Sequence, residues 1–405
     1  MSVRQKFTFN PVRLKLTRLF TEFFQSEQSS GIVLLVCALT AILLANSYRG
    51  DEFLAFWHIK LGFETGNILL KYSLEHWIND GLMAIFFLLI GLEIEREIYI
   101  GELSDLKNAS LPIFAAVGGM AMPALLYWLI NRGADTQNGF GIPMATDIAF
   151  ALGVMALAGK KVPVSLKVFI TAFAIIDDVG AIFVIAIFYV GDFSFYYLLL
   201  ALSVFGLLLV FNRMRIHHLA FYFIPGIFMW YFMLRSGVHA TLAGVLLAFA
   251  IPFGDGSEKS PSYGLQHILH KPVAFGIMPL FALANTGVAF NTNWATALLN
   301  LNSLGVIAGL VVGKPLGILL ASFLAIKARL SKLPIDLGWT HILGAGFLGG
   351  IGFTMSIFIT LLAFQHADVV QSTKISILLS SILAGTTGFL ILNRTASDQE
   401  NELPL

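Results

Sequence analysis

Charge is what this sequence has least of. Only 12% of its 405 residues are Asp, Glu, Lys or Arg, whereas 57% are hydrophobic; a soluble domain carries about 25% charged residues. That deficit, with a mean hydropathy of +0.81, excludes an ordinary water-soluble protein and makes lipid the solvent for most of the chain. Cysteine is nearly absent. Cys37 stands alone in an apolar run, so neither a disulfide nor a cysteine metal site forms within one chain. Strong net charge is missing too: the balance is +1, and no basic patch interleaved with aromatics marks a nucleic-acid partner. The basic N-terminus has no short apolar core followed by a small-residue cleavage site, so no cleavable signal peptide is expected. No connection between apolar runs is long enough for a large soluble domain.

What is present is a succession of apolar runs. A helix needs about 20 apolar residues to cross a bilayer, and reading runs against polar breaks predicts about twelve spans. They cover 30–47, 75–98, 110–131, 142–159, 164–190, 195–211, 218–234, 237–252, 271–290, 303–326, 340–364 and 372–393. The expectation is an all-α membrane protein with a transmembrane domain over 30–393, an N-terminal segment 1–29 and a polar tail 394–405. An even count puts both termini on one side. Of the 25 Lys and Arg, six (Arg49, Lys60, Lys71, Arg132, Arg235, Lys374) then lie outside, Lys314 lies mid-span and the other 18 lie inside. This asymmetry supports the count and makes both termini cytoplasmic. Leu16, Leu19, Phe20, Phe23 and Phe24 recur at helical spacing beside Arg13, Lys15 and Arg18, as in an amphipathic helix on the inner leaflet.

Against this background the few charges at bilayer depth stand out. Asp177 and Asp178 adjoin in ITAFAIIDDVGAIFVIAIF, where one charge costs roughly 2.5–3.5 kcal/mol by insertion measurements. Asp147 lies 14 residues before the turn centred near residue 161, and Asp177 lies 16 after it. Both are then about 21–24 Å from that turn, and antiparallel neighbours bring them to one depth. Lys314 sits near the middle of the tenth span. Three acids and one base from three helices can therefore share one buried polar site. A purely structural set of ion pairs is the simpler reading of such charges. It fits poorly here, because adjacent helix residues point roughly 100° apart and both acids cannot face one partner.

Two spans are interrupted. Gly139, Gly141 and Pro143 break the fourth just before Thr146 and Asp147, and Gly349, Gly350 and Gly352 break the eleventh. Irregular backbone at membrane depth is tolerated inside protein or beside a water cavity, and paired broken spans in two halves point to the binding site of a transporter built from inverted repeats. The alternative is that these glycines only allow close helix packing. The exposed half-helix ends carry partial charges that Asp147 and Lys314 could neutralise. At the inner end of the second span, Glu93, Arg96 and Glu97 in GLEIEREI share a helix face, which by itself reads as a solvated ion cluster. Asp80, at the outer end of the same span, could line an entrance. His239 in SGVHATLAG reads as a packed histidine, and His267 and His270 as surface residues of the inner loop.

The segments GLEIERE, MATDIAFALG, FITAFAIIDDVGAI, SGVHATLAG, GKPLGI and GIGFTMSIFI, in that order over about residues 75–360, resemble the NhaA-type bacterial sodium/proton antiporters. That family is one of the systems from which the inverted-repeat rule is drawn, so the rule is not independent support. The resemblance implies twelve helices with inverted-topology repeats, the fourth and eleventh unwound and crossing. It implies that Asp178 and Asp177 bind the cation and protons, that Asp147 and Thr146 stand at the crossing, and that Lys314 pairs with the first acid of the doublet. It also implies pH sensing at Glu93, Arg96, Glu97 and His239, a set to which His267 is added. Finally, it implies a homodimer through an external hairpin in the loop 48–74 and a place in the bacterial inner membrane. Gln266 and Glu95 depart from the residues some relatives carry, which bears on the pH set-point.

Protons and a small hard cation compete for the same buried oxygens, and adjacent carboxyls titrate as a coupled group. One site holding either ion exchanges sodium (or lithium) for protons with no covalent chemistry and no cofactor. Such a chain is not an enzyme. A sodium-coupled solute symporter would need a larger polar pocket. An intramembrane aspartyl protease would need two acids aimed at one water, which adjacent helix positions do not provide, though Asp147 with one of the doublet could.

Overall fold

The computed structural model describes residues 18–65, 68–159, 162–257, 260–290 and 294–401. Arg13, Lys15 and Leu16 of the expected amphipathic helix, and the end of the polar tail, lie outside them. The chain is helical nearly throughout, as a membrane demands: in hydrocarbon each backbone N–H and C=O must find its partner within the segment. The helices are α1 (Arg18–Ala45), α2 (Gly50–Trp57), α3 (Leu74–Tyr99), α4 (Leu106–Ile130), a 3-10 half-helix (Gln137–Met144) and α5 (Ile148–Leu157). They continue with α6 (Val164–Phe188), α7 (Phe195–Arg213), α8 (Ala220–Ser236), α9 (Leu242–Ala250), α10 (Pro261–Asn285) and α11 (Leu301–Lys327). The series closes with α12 (Trp339–Gly349), α13 (Phe353–Ala363) and α14 (Ala367–Asn401). Between α2 and α3 a β-hairpin pairs Lys60–Leu61 with Tyr72–Ser73 and Glu64–Thr65 with Ile68–Leu69, antiparallel.

Among the described residues, seven helices are long and apolar enough to cross a membrane, and three bent pairs pass the same test together. The bend between α1 and α2 is 120°, so α2 turns away from the first span instead of prolonging it. The other two pairs are the predicted fourth and eleventh spans: the 3-10 half-helix meets α5 at 42°, and α12 meets α13 at 45°. The predicted seventh and eighth spans are the short ones, with 17 residues in α8 and 9 in α9. The eighth was expected to be helical from 237. It starts at Leu242 because Gly237 ends α8 in the left-handed region at φ +81, and 236–237 is laced to the loop after α6. There Gly191 N donates to Gly237 O at 2.9 Å and Ser194 N to Ser236 O at 2.8 Å.

Small residues draw the helices that matter into close approach, which is how helices associate where lipid removes most of the hydrophobic drive. At the crossing of α4 and α11, a Cβ on Gly317 would lie 2.1 Å from Gly118 O, and one on Gly118 would lie 2.3 Å from Gly317 O. A Cβ on Gly350, in the break between α12 and α13, would lie 2.4 Å from Leu310 O. Leu310 belongs to a π-helical stretch, Ala308–Gly313, that runs directly into Lys314; π-bulges in α-helices are frequent at functional sites. The packing that closes the bundle is thus also what aims Lys314. Gly317→Val should cost about 1–3 kcal/mol through overpacking and lower the melting temperature in detergent. Gly264→Ala, with nothing within 4 Å of the added Cβ, should not lower it. Equal melting temperatures for Gly317→Val and the native chain would rule out this contact as a determinant of the bundle.

Candidate ion-binding site at the crossing of two broken helices

The two breaks meet. Asp147 N donates to Ile351 O at 2.7 Å, Thr146 Oγ1 to Gly349 O at 2.8 Å and Ser356 Oγ to Ile142 O at 2.7 Å. Unwinding leaves N–H groups unsatisfied at the start of each second half-helix, and one carboxylate serves both. Asp147 caps α5 by accepting from Phe150 N at 3.1 Å, and its other oxygen accepts from Thr354 N at 3.1 Å and from the Thr354 hydroxyl. A side-chain oxygen on the first free N–H groups is the usual helix N-cap, and an acid there also suits the positive end of the helix dipole.

Lys314 and Asp177 are both fully buried. The ammonium lies 2.9 Å from Asp177 Oδ1 and 2.8 Å from Oδ2, and it also donates to the Met144 carbonyl at the end of the 3-10 half-helix. The ring of Phe173, one turn before Asp177, lies 5.6 Å from the same nitrogen. Asp178 points elsewhere. It lines a cavity of about 40 Å³ with Asp147, Thr146, Thr354, Ser30 and Glu93, which is room for a small ion or a few waters. The cavity runs from the crossing toward the Glu93 end of α3; Asp80, at the other end, is not on its wall. Depth counting therefore brings Asp147, Asp177, Asp178 and Lys314 to one place, and α6 turns the two acids of the doublet to different neighbours.

The cluster at the Glu93 end differs from its solvated reading: Glu93, Glu95, Arg96 and Glu97 are all buried. Loop and helix cover it. Arg96 Nη2 pairs with Glu97 Oε1 at 2.8 Å, Glu97 Oε2 accepts from Glu102 N at 3.0 Å, and Ser262 Oγ lies 3.4 Å from Glu95 Oε2. His267 is exposed, whereas His270, also expected at the surface, lies 3.9 Å from Glu93 Oε1. Three residues apart, they lie on neighbouring sides of α10, and only the second comes near Glu93. At the far end, His76 Nδ1 is 3.3 Å from Asp80 Oδ2, and His239 is a further electrostatic neighbour of Asp80. Thr354 was not singled out from sequence, although it follows the Gly349–Gly352 break as Thr146 follows the Gly139–Pro143 break. That analogy was the available signal. Met144 could not have been found at all, since only its carbonyl takes part.

A family profile described as Na+/H+ antiporter 1 matches residues 21–392. The Na(+)/H(+) antiporter NhaA 1 of Flavobacterium johnsoniae is 56% identical over 388 residues, covering 96% of this chain and 100% of the relative. The Na(+)/H(+) antiporter NhaA of Dechloromonas aromatica is 57% identical over 383 residues, covering 94% and 96%. That of Cytophaga hutchinsonii is 51% identical over 391 residues, covering 96% and 99%.

Removing one partner of a buried ion pair leaves an uncompensated charge, at about 3–5 kcal/mol. Lys314→Met should therefore lower the melting temperature sharply, and adding Asp177→Asn should restore most of the loss. If the double variant melts no higher than the single one, the pair does not organise the site. A second expectation concerns Glu102, beyond the end of α3. Burial first, and then the charge of Glu97, raise its carboxyl above the usual range. An acid with a raised folded-state pKa loses stability as pH climbs through that pKa. Glu102→Gln should thus melt higher than the native chain near about pH 8 and equally near about pH 4; the reverse order would contradict the assignment.

Proposed function

The chain belongs to the Na+/H+ antiporter 1 family and is a multi-pass membrane sodium/proton antiporter, and we propose that it exports sodium from the cytoplasm in exchange for protons by alternating access through the Asp178 cavity. The observation that carries this reading is the split doublet: Asp177 is neutralised by Lys314 while Asp178 faces the cavity. Asp178 is the principal sodium ligand in this scheme, helped by the hydroxyls of Thr146 and Thr354. Asp147 joins through whatever lone pair its capping bonds leave. When sodium arrives, its charge draws Asp177 into the same cluster and weakens the hold of Lys314. When it leaves, protons replace it on the carboxyls and Lys314 returns to Asp177. If more protons than sodium ions move in each cycle, the membrane potential drives sodium out, and the exchange is electrogenic.

The size of the cavity supports an inorganic cargo. About 40 Å³ is far below the roughly 300–1,000 Å³ of sites for organic molecules, which speaks against the symporter. The protease is disfavoured because the carboxylate of Asp147 is taken up by two helix N-termini.

The Glu93 end is read as cytoplasmic from the distribution of Lys and Arg; on this reading the Asp178 cavity extends toward the cytoplasmic side, both termini are cytoplasmic and the inner membrane of a bacterium is the expected location. Glu93, Arg96 and Glu97 form a pH-responsive cluster at the mouth, in which the neutral Gln266 and the buried Glu95 adjust the set-point. His239 and His267 are further candidates for this role, and Asp80 belongs to the opposite entrance. A homodimer through the hairpin in 48–74 is proposed on the exposed Ile59, Leu61 and Phe63 beside its paired strands.

The test is proton flux in everted vesicles on adding sodium. The native chain should release the imposed pH gradient, and Asp178→Asn should abolish that release at any sodium concentration. Retained flux in Asp178→Asn would remove it as the principal ligand. Absence of flux in the native chain would overturn the antiport assignment.

A further inference from the structure

The 3-10 half-helix Gln137–Met144 is held at both ends by side chains of other helices. At the Met144 end, Lys314 donates to the Met144 carbonyl and Ser356 to the Ile142 carbonyl. At the opposite end two phenols reach its backbone. The hydroxyl of Tyr189, at the end of α6, accepts from Gly141 N at 3.0 Å and donates to Asn138 O at 2.9 Å. The hydroxyl of Tyr127, on α4, lies 2.8 Å from Thr136 O and 2.7 Å from Asn302 Oδ1. The seats are shaped for these groups. A Cβ on Gly141 would lie 2.5 Å from Tyr189 Oη, and one on Gly139 would lie 2.4 Å from Tyr127 Oη. The G-x-G pattern that breaks the fourth span therefore does a second job: each glycine clears the backbone for one hydroxyl. The half-helix has no side-chain N-cap of its own, and 3-10 geometry in the middle of a span holds its hydrogen bonds poorly and often marks a hinge.

We propose that Tyr189 is a positioning residue for transport: its phenol latches the half-helix in the arrangement that closes the Asp80 end of the protein. Tyr189 does not touch the ion. It acts through a short rod whose other end, the Met144 carbonyl, shares the Lys314 ammonium with Asp177. Release of Lys314 from Asp177 loosens one end of the rod, which Ser356 still holds at the Ile142 carbonyl, and the latch decides whether the other end follows. Tyr189 is the C-cap of the helix that carries Asp178, eleven residues on, with its N–H bonded to Ile185 O, so latch and ion ligand move as one body while the half-helix moves against them. His239 bonds to the Tyr189 backbone, which ties the loop before α9 to the same joint. The role rests on the alternating-access reading above, because a latch matters only if the Asp80 end opens.

Tyr189→Phe removes the hydroxyl and keeps the ring, which stacks on Phe140 at 6.3 Å. Losing two hydrogen bonds should lower the ratio of latched to released half-helix roughly tenfold. Two readouts are expected to move. Amide exchange over 138–144, by mass spectrometry in detergent, should quicken about tenfold while exchange in α6 stays unchanged. In proteoliposomes, the sodium KM from the Glu93 side should rise several-fold, with kcat changed less than the KM. Tyr127→Phe should do the same more weakly, because Asn302 shares its hydroxyl. Unchanged exchange over 138–144 in Tyr189→Phe would overturn the latch, and so would a loss of melting temperature with KM and kcat unmoved. The two readings are separable. If the native chain exchanges no sodium for protons, antiport fails while amide exchange still reports on the latch; if it does and Tyr189→Phe behaves as native, only the latch fails.

Discussion

Everything at the centre of this protein depends on one buried ammonium with two claimants. Lys314 is fully enclosed, and a charge so placed persists only when paired and hydrogen-bonded. Asp177 supplies the opposite charge through both carboxylate oxygens, and the Met144 carbonyl supplies the remaining acceptor. One is a side chain on a continuous helix, the other the backbone end of a broken one. Any event that changes the charge at the doublet is therefore felt at the end of the half-helix. The electrostatics of ion binding and the mechanics of the broken span meet at a single nitrogen.

The same economy governs the crossing. Breaking two helices inside a membrane exposes N–H and C=O groups that lipid cannot satisfy. Here each break satisfies the other: backbone bonds run directly from Asp147 to Ile351, Thr146 reaches Gly349, and the carboxylate of Asp147 caps both second halves. Asp147 is consequently committed to holding the crossing together before it is available to an ion. Asp178 carries no such duty, and this leaves it as the acid best placed to exchange partners.

Much of this was legible in the residues. A doublet of acids in an apolar run, an acid one half-span before the preceding turn and a lysine mid-span could be brought together by counting at 1.5 Å per residue, because helical rise is the one measure a membrane span does not relax. The breaks were legible from Gly and Pro. Four features were not. The eighth span was drawn too long, because hydropathy does not register the left-handed Gly237 that stops α8 and leaves α9 to begin at Leu242. The Glu93 cluster looked solvated, because charge density on one helix says nothing about the loop and helix that cover it. His267 and His270 are only about 60° apart around α10, and only packing against Glu93 separates them. Tyr127 and Tyr189 drew no notice either. Their signal was the spacing of Gly139 and Gly141, which read as a break and proved also to be two seats.

The division within the doublet follows from helix geometry more than from chemistry. Asp177 and Asp178 are the same side chain on the same helix at the same depth. A rotation of about 100° puts one against Lys314 and the other on the cavity wall. Had the acids been four residues apart they would share a face, and a single lysine could bridge both carboxyls, leaving neither turned to a cavity of its own. Adjacency prevents this. It guarantees that one acid stays without a fixed counter-charge, yet close enough to the pair for a cation bound to it to compete with Lys314. The fold can close around the first acid only by leaving the second exposed to whatever enters, and that asymmetry is what allows a buried ion pair to serve an exchanger.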